Sequence, residues 1–171
     1  ELFQADSIHF PDSLKYTTLV NKRTVYGGGG IMPDYFVPVD TTKGTMLHAR
    51  LNGLNVIYKV AIGEVDNHRS ELKKKYPDAN SFVTGYQVTE AVIPRLKKLA
   101  AEEKIEWDEK QFASSRPLIF EQLKALMARD LYDSSAFFRV INRENDIFME
   151  GLKIISDDKR YNGLLEGTGK P

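Results

Sequence analysis

The chain has 171 residues, of which 42% are apolar and 28% are charged, a composition typical of a globular protein with a sizeable core. Lys and Arg total 24, as do Asp and Glu, so the formal net charge of +0 provides no long-range attraction for nucleic acid. The sequence contains no cysteine, which excludes disulfides, thiol catalysis and cysteine-ligated zinc.

The N-terminal part of the chain, over residues 7–40, has the pattern of β structure. Residues 13–19 and 24–26 predict two short strands, and the polar connection between them has the length of a hairpin turn. Asn21 is able to supply a left-handed position in that turn. Residues 35–39 predict another extended segment, which Pro38 confines to a sheet edge or to the end of a strand.

Four consecutive glycines at positions 27–30 allow three interpretations: a phosphate-binding loop, a flexible linker or a structural corner. A phosphate-binding loop requires a helix N-terminus behind the glycines, but here a β-like run follows. A linker is disfavoured because Ile31 and Met32 adjoin aromatic residues and have the character of packed side chains. The sequence therefore favours a corner, in which glycines let strands pass closely and Pro33 fixes the backbone.

Beyond residue 43 the apolar period changes from 2 to 3.6, which predicts a helical domain of about four helices. Thr89 and Asn142 are predicted caps of the second and fourth helices, and Pro117 is predicted to lie in the first turn of the third. The core-facing residues are predicted to be Ile57, Ala61, Val65, His68 and Leu72; then Val92, Leu96, Leu99 and Ala100; then Ile119, Leu123, Leu126 and Met127; and finally Phe148, Gly151, Leu152 and Ile155. The predicted fold class is α+β, mainly α, with an N-terminal β-hairpin segment (1–43) and a helical domain (44–171).

The residues alone predict no catalytic, cofactor-binding or metal-binding site. His9, His48 and His68 do not have the spacing of helical zinc ligands. His68 follows Glu64 by one helical turn, which predicts a partly buried histidine paired with a carboxylate. Asp66, Asp108, Glu109, Asp157 and Asp158 are predicted to lie on solvated faces. No run is apolar and long enough to predict a membrane span.

One stretch, residues 14–34, resembles the end of the catalytic domain in the carboxyl-terminal processing (tail-specific) serine peptidases. That family closes the domain with a strand, a turn often ending in Gly-Arg, a second strand, and the motif Gly-x-Gly-Ile-x-Pro-Asp. The residues that match this last motif are Gly28, Gly30, Ile31, Pro33 and Asp34. The four-glycine form is similar to members from Bacteroides-like bacteria, which carry a C-terminal helical extension. Lys22 departs from the family because it stands at the turn glycine, and Asn21 is expected to supply the turn conformation instead.

The resemblance implies a serine nucleophile and a lysine base that precede the motif, so that this chain holds no catalytic residue and is inactive alone. It further implies that residues 1–43 end a catalytic domain and that residues 44–171 form an accessory domain. Polypeptide substrates would bind through the upstream domains, no cofactor would be needed, and the location would be periplasmic or otherwise extracytoplasmic. The start at Glu1, without methionine, agrees with an internal piece of a longer protein.

An alternative remains open, in which the chain is a non-enzymatic helical protein-interaction module and its hairpin only resembles the peptidase. In either case, unpaired strand edges predict self-association through the N-terminal strands.

Overall fold

The computed structural model describes residues 11–20, 22–28, 33–40 and 42–166. These residues form a mainly helical α+β fold, which confirms the predicted class, with eight α-helices rather than about four. The strands are β1 (Lys15–Thr17) and β2 (Thr24–Tyr26), and the helices are α1 (Met46–Gly53), α2 (Val56–Lys75), α3 (Ala79–Gly85), α4 (Ile93–Glu102), α5 (Glu109–Leu131), α6 (Ser134–Ile141), α7 (Asp146–Ile155) and α8 (Asp158–Leu165).

The chain divides into two compact units, which we call the helical unit and the terminal unit. The helical unit is Thr41–Asn145, and the terminal unit joins Glu1–Asp40 with Asp146–Pro171. Helices α7 and α8 are thus grouped with the N-terminal segment, whereas the sequence assigns them to the accessory domain. The functional division, in which residues 1–43 end a catalytic domain and residues 44–171 form an accessory domain, stays a prediction.

The core of the helical unit is built around α5, which contacts α1, α2, α3 and α6. Its predicted inner face is confirmed, because Ile119, Leu123, Leu126 and Met127 are all buried. The predicted faces of the two preceding stripes are confirmed at Ile57, Ala61, Val65, Val92, Leu96 and Ala100. The prediction that His68 faces the core is wrong, because residues 66–71 of α2 are exposed. Its predicted pairing with a carboxylate is seen, since His68 Nδ1 lies 3.8 Å from Glu64 Oε2.

The start of α5 differs from the prediction near Pro117. The helix begins at Glu109, where Asp108 Oδ1 accepts hydrogen bonds from the backbone amides of Lys110 at 2.8 Å and Gln111 at 2.9 Å. Pro117 lies inside the helix, where it removes one amide donor but does not end a helix held by its cap and by its buried face. Asp108 is therefore a structural cap, a role that its assignment to a solvated face missed.

The C-terminal helices also differ from the single fourth helix that the sequence predicts. Asp133 caps α6 by accepting from Ala136 N at 2.8 Å, and Asn142 opens a short 3-10 turn rather than a helix. In α7 the predicted inner residues are exposed and Ile154 is buried instead. The reason is that Asp146, Glu150 and Lys153 occupy one side of α7 and the remaining surface is broadly apolar, so the pattern does not identify which apolar residue is buried.

The hairpin confirms both predicted strands, β2 over the predicted residues 24–26 and β1 over a shorter range than 13–19. β1 and β2 pair antiparallel, with Tyr16 opposite Val25. The turn is closed by Thr18 and Arg23: Thr18 N donates to Arg23 O at 2.8 Å, and Arg23 N donates to Thr18 Oγ1 at 2.9 Å. Residues 35–39, predicted to be extended, form no strand within 33–40.

Candidate interaction surface

The turn position that distinguishes this chain from the resembled family is Lys22. Its φ of 52° lies in the left-handed region, where glycine is favoured because it lacks a Cβ. The turn therefore keeps the backbone conformation that a glycine would adopt. Lys22 itself supplies this conformation, whereas Asn21, from which it was expected, lies outside the described residues.

Gly28 shows why the chain needs a glycine directly after the hairpin. Its φ is 93°, and a Cβ at this position would lie 3.1 Å from Leu14 Cδ1. Backbone pairing of the two strands ends just before it, where Gly27 N donates to Leu14 O at 2.8 Å. These contacts agree with the structural corner that the sequence favours. Gly30 and Ile31 lie outside the described residues.

The last motif residue, Asp34, makes an ion pair with the hairpin turn. Arg23 Nη1 lies 3.0 Å from Asp34 Oδ1 and also donates to Leu164 O at 3.3 Å. Pro33, the motif residue before it, is exposed. One guanidinium thus connects the turn, the segment after the glycines and α8. No local sequence pattern predicts this connection, because its parts are far apart in the chain.

A second link within the terminal unit is centred on Arg160. Its guanidinium lies 2.6 Å from Glu150 Oε1 and 5.0 Å from the centre of the Tyr35 ring. Lys153 adds a contact to Glu150 at 3.1 Å. The hydrogen bond from Arg160 holds the pKa of Glu150 below its usual value, and the same bond raises the pKa of Arg160. These residues hold α7 and α8 against the segment that follows the glycines.

A groove of about 320 Å³ lies between this segment and the two helices. Tyr35 and Val37 line it on one side, Ile147 and Ile154 come from α7, and Leu164 comes from α8. The walls are therefore mainly apolar, and they suit an apolar partner better than a charged ligand.

Exposed apolar side chains are concentrated in the same unit. Among the described residues, the large apolar ones exposed there are Tyr16, Leu19, Val20, Val39, Ile147, Phe148, Leu152, Ile155, Tyr161 and Leu165, against Met46, Leu54, Tyr58 and Phe138 in the helical unit. The helical unit is much the longer of the two, so this difference makes the terminal unit the candidate interaction surface.

A second cleft, of about 260 Å³, lies in the helical unit beside the starts of α1 and α5. Gln111 borders it and accepts from Leu47 N at 2.8 Å through its side-chain oxygen, while Asp108 caps α5. The Trp107 indole N–H, also at this cleft, is buried; Lys97 and then Trp107 hold the pKa of Glu109 below its usual value. Most polar groups here serve the fold, so the cleft does not indicate a ligand.

The histidines and serines do not form a catalytic arrangement among the described residues. His48 Nε2 lies 3.0 Å from Gln122 Oε1, and His68 Nδ1 lies 3.1 Å from the backbone oxygen of Glu64. Ser115, which is buried, donates to Gln111 O at 2.8 Å. In the described ranges, no three His, Asp or Glu side chains are grouped as metal ligands.

The spacing Ser-x-x-Lys, known from some serine hydrolases, occurs twice, as Ser70–Lys73 and Ser156–Lys159. All four residues are exposed, whereas a lysine base requires burial to lower its pKa. Neither pair therefore has the environment of a catalytic site.

Lys124 is the buried lysine of the helical unit, with 5% of its surface exposed. Burial lowers its pKa, while the charge of Glu121 opposes that change. Burial also raises the pKa of Glu121. The two side chains lie three residues apart on α5, and the sequence analysis assigned them no role.

No helix in the described part of the chain is both long and apolar enough to cross a membrane. Comparison with curated proteins and with solved structures gave no significant match. A family of unknown function, DUF8443, matches residues 47–133, which run from α1 to the residue that caps α6 and lie within the helical unit. Because this match covers half of the sequence, the chain belongs to the DUF8443 family.

Proposed function

We propose that this chain forms the C-terminal part of a serine-type peptidase similar to the carboxyl-terminal processing peptidases, with the helical unit as an accessory module. The observation that carries the proposal is the 3.0 Å ion pair between Arg23 and Asp34. The resemblance identifies these residues in two separate motifs, the hairpin turn and the end of Gly-x-Gly-Ile-x-Pro-Asp. Their contact joins the two motifs, and it holds the segment that follows the hairpin against the hairpin turn.

Two backbone conformations give further support. Lys22 and Gly28 both have positive φ, and both stand where the resembled family has glycine. A lysine held in the left-handed region costs about 1–2 kcal/mol relative to its usual conformations. Lys22 thus adopts a conformation that is unfavourable for lysine, as expected if the proposed catalytic domain requires this turn geometry.

In this proposal the chemistry belongs to the polypeptide that precedes Glu1. A serine there attacks the peptide carbonyl, and a lysine whose pKa is lowered by burial accepts the serine proton and passes it to the amine that leaves as the peptide C–N bond breaks; water then hydrolyses the acyl-enzyme. The hairpin of this chain completes the catalytic domain, and the substrates are polypeptides bound by the upstream domains. A periplasmic or otherwise extracytoplasmic location is part of the same proposal.

Proteolysis by a longer protein tests the assignment. The chain preceded by the polypeptide encoded directly upstream of Glu1 is expected to release peptides from unstructured casein, and this chain alone is expected to release none. Replacing the upstream serine nucleophile with alanine should abolish release. Absence of a serine and a lysine upstream, or a longer protein that releases no peptides, would overturn the proposal.

The alternative function, a non-enzymatic interaction module, is favoured by a different observation. The helical unit has its own buried core, and the family match lies entirely within it. Such a unit is able to fold and bind partners without a catalytic domain. An upstream polypeptide that lacks a serine and a lysine but still binds this chain would support the alternative.

A further inference from the structure

A separate patch on the helical unit combines one arginine with aromatic side chains from two neighbouring helices. The guanidinium carbon of Arg129, in α5, lies 5.9 Å from the centre of the Tyr58 ring in α2. The same carbon lies 5.6 Å from the centre of the Phe137 ring in α6. Phe138 continues the patch, with its ring centre 5.3 Å from that of Phe137 in an edge-on arrangement. We call these four residues the arginine patch.

The arginine patch is accessible to a partner. Arg129 is exposed, and Tyr58 and Phe138 are 44% and 56% exposed. Arginine and aromatic residues are enriched at protein–protein interfaces, where they contribute a large share of the binding energy. The two ring contacts also restrict the guanidinium, so less conformational entropy is lost when this side chain binds a partner.

Arg129 carries a charge that the described part of the chain does not neutralise. Its guanidinium contacts the two rings but makes no ion pair or hydrogen bond with a described residue. The carboxylates that follow it in the sequence are engaged elsewhere. Asp130 Oδ2 lies 2.6 Å from Arg69 Nη2, and Asp133 accepts from Ala136 N at 2.8 Å. A carboxylate supplied by a partner would therefore find the N–H donors of Arg129 unoccupied.

The chemistry of the patch indicates one class of partner. A guanidinium binds a carboxylate through two parallel hydrogen bonds, and the exposed rings beside it favour apolar side chains next to that carboxylate. Recognition of phosphorylated segments uses clusters of arginines, and nucleic-acid binding neutralises several phosphates. The patch has a single cation, and the whole chain has a formal net charge of +0. These properties fit an acidic protein segment that also carries apolar side chains.

We propose that the arginine patch binds a segment of a separate protein in which an aspartate or glutamate adjoins large apolar side chains. The carboxylate pairs with Arg129, and the apolar side chains pack on Tyr58 and Phe138. This inference goes beyond the proposed peptidase and does not require it, because all four residues of the patch lie in the helical unit.

Selection from a random peptide library displayed on phage, with this chain as the immobilised target, tests the patch. We expect the enriched peptides to contain Asp or Glu beside Phe, Trp, Tyr or Leu. A synthetic peptide of the enriched sequence should bind Arg129→Gln at least about tenfold more weakly than wild type, because a charged hydrogen-bond pair is lost. Replacing the acidic residue of the peptide with its amide should weaken binding to wild type similarly but change binding to Arg129→Gln little, because both changes remove the same contact.

Arg50→Gln is the matched control, since Arg50 is an exposed arginine that borders the other cleft of the helical unit. This variant should bind the peptide as wild type does. Phe138→Ala should weaken binding at least about threefold, because it removes an exposed ring of the patch. Both Arg129→Gln and Phe138→Ala should keep the far-ultraviolet circular dichroism of wild type, since the two side chains are exposed.

Failure to enrich any peptide would overturn the proposal, as would enriched peptides that lack a carboxylate or that bind Arg129→Gln as tightly as wild type. Dimerisation of this chain in light scattering, if lost in Arg129→Gln, would identify the partner as a second copy. Binding of oligouridylate, if lost in the same variant, would identify the partner as a nucleic acid. Either result would overturn the assignment to a separate acidic protein. None of these measurements involves proteolysis, so the peptidase proposal is tested separately.

Discussion

Replacing Leu123 with alanine tests the packing of the helical unit directly. Leu123 has 0% exposure and lies on α5, the helix that contacts four others in this unit. Removing its three terminal carbon atoms costs roughly 2.4 kcal/mol, at about 0.8 kcal/mol for each buried methylene. The cavity that remains raises the loss, so we expect the free energy of unfolding to fall by about 2–5 kcal/mol.

Urea denaturation followed by far-ultraviolet circular dichroism measures this loss. The midpoint should fall while the slope stays unchanged, because the substitution alters stability and not the surface exposed on unfolding. Leu54→Ala is the control, since Leu54 is 44% exposed and its truncation should cost about 0.5 kcal/mol or less. A loss at Leu123 below about 1 kcal/mol would refute the packing described for α5.

Three further substitutions test the turn, one helix contact and one helix cap. Lys22→Gly should stabilise the hairpin by about 0.5–1 kcal/mol, because relief of the left-handed conformation exceeds the entropy that glycine adds to the unfolded chain; faster hydrogen exchange of the β1 and β2 amides would contradict this. The Arg95 guanidinium of α4 lies over Gly63 of α2, where an added Cβ would collide with it. Gly63→Ala should therefore stabilise the protein little by itself, but in an Arg95→Ala background it should raise the free energy of unfolding by about 1 kcal/mol. Urea denaturation in which the double variant is no more stable than Arg95→Ala would count against the contact. Asp108→Ala should lower the melting temperature at neutral pH. Because hydrogen bonds from the Gln111 and Lys110 amides lower the pKa of Asp108 in the folded state, its stabilisation is present above the ordinary carboxyl pKa and is lost as the pH falls through the folded-state pKa. Asp108→Asn, which keeps an acceptor oxygen, should remove that pH dependence, and a wild-type advantage that persists in acid would contradict the assignment.

The inner face of α4 could be predicted because this helix is apolar on one side and polar on the other, and Leu96 is buried. In α5 the predicted residue Leu123 is also buried, but so are all of residues 123–128, so the core covers this part of the helix on more than one side. The prediction failed in α7, where Asp146, Glu150 and Lys153 share one side, the rest of the surface is broadly apolar, and the buried position is Ile154. A broad apolar face does not identify which of its residues is buried.

Helix starts were less predictable, because a cap depends on which of several polar residues the chain uses. Asp108 and Asp133 both cap helices, but their sequence context resembles that of solvated carboxylates. A helix start near Pro117 is the wrong prediction, because a proline within a long packed helix is tolerated.

The corner after the hairpin could be predicted from the glycine run, but the contacts that hold it could not. Gly28 follows from local chemistry, because its positive φ and its approach to Leu14 require a residue without a side chain. The contacts of Arg23 with Asp34 and Leu164 depend on the three-dimensional arrangement, which no local sequence pattern encodes.

The long separation of these contacts sets an order for folding during synthesis. Arg23 and Leu164, which share a hydrogen bond, lie 141 residues apart. The hairpin therefore leaves the ribosome well before α8 exists, while every residue of the helical unit has been added once Asn145 is in place. Because domains generally fold as units during translation, the helical unit is expected to fold first and to bridge the two ends of the terminal unit afterwards. A truncated chain that ends at Asn145 would carry the complete helical unit and a hairpin still without its C-terminal helices.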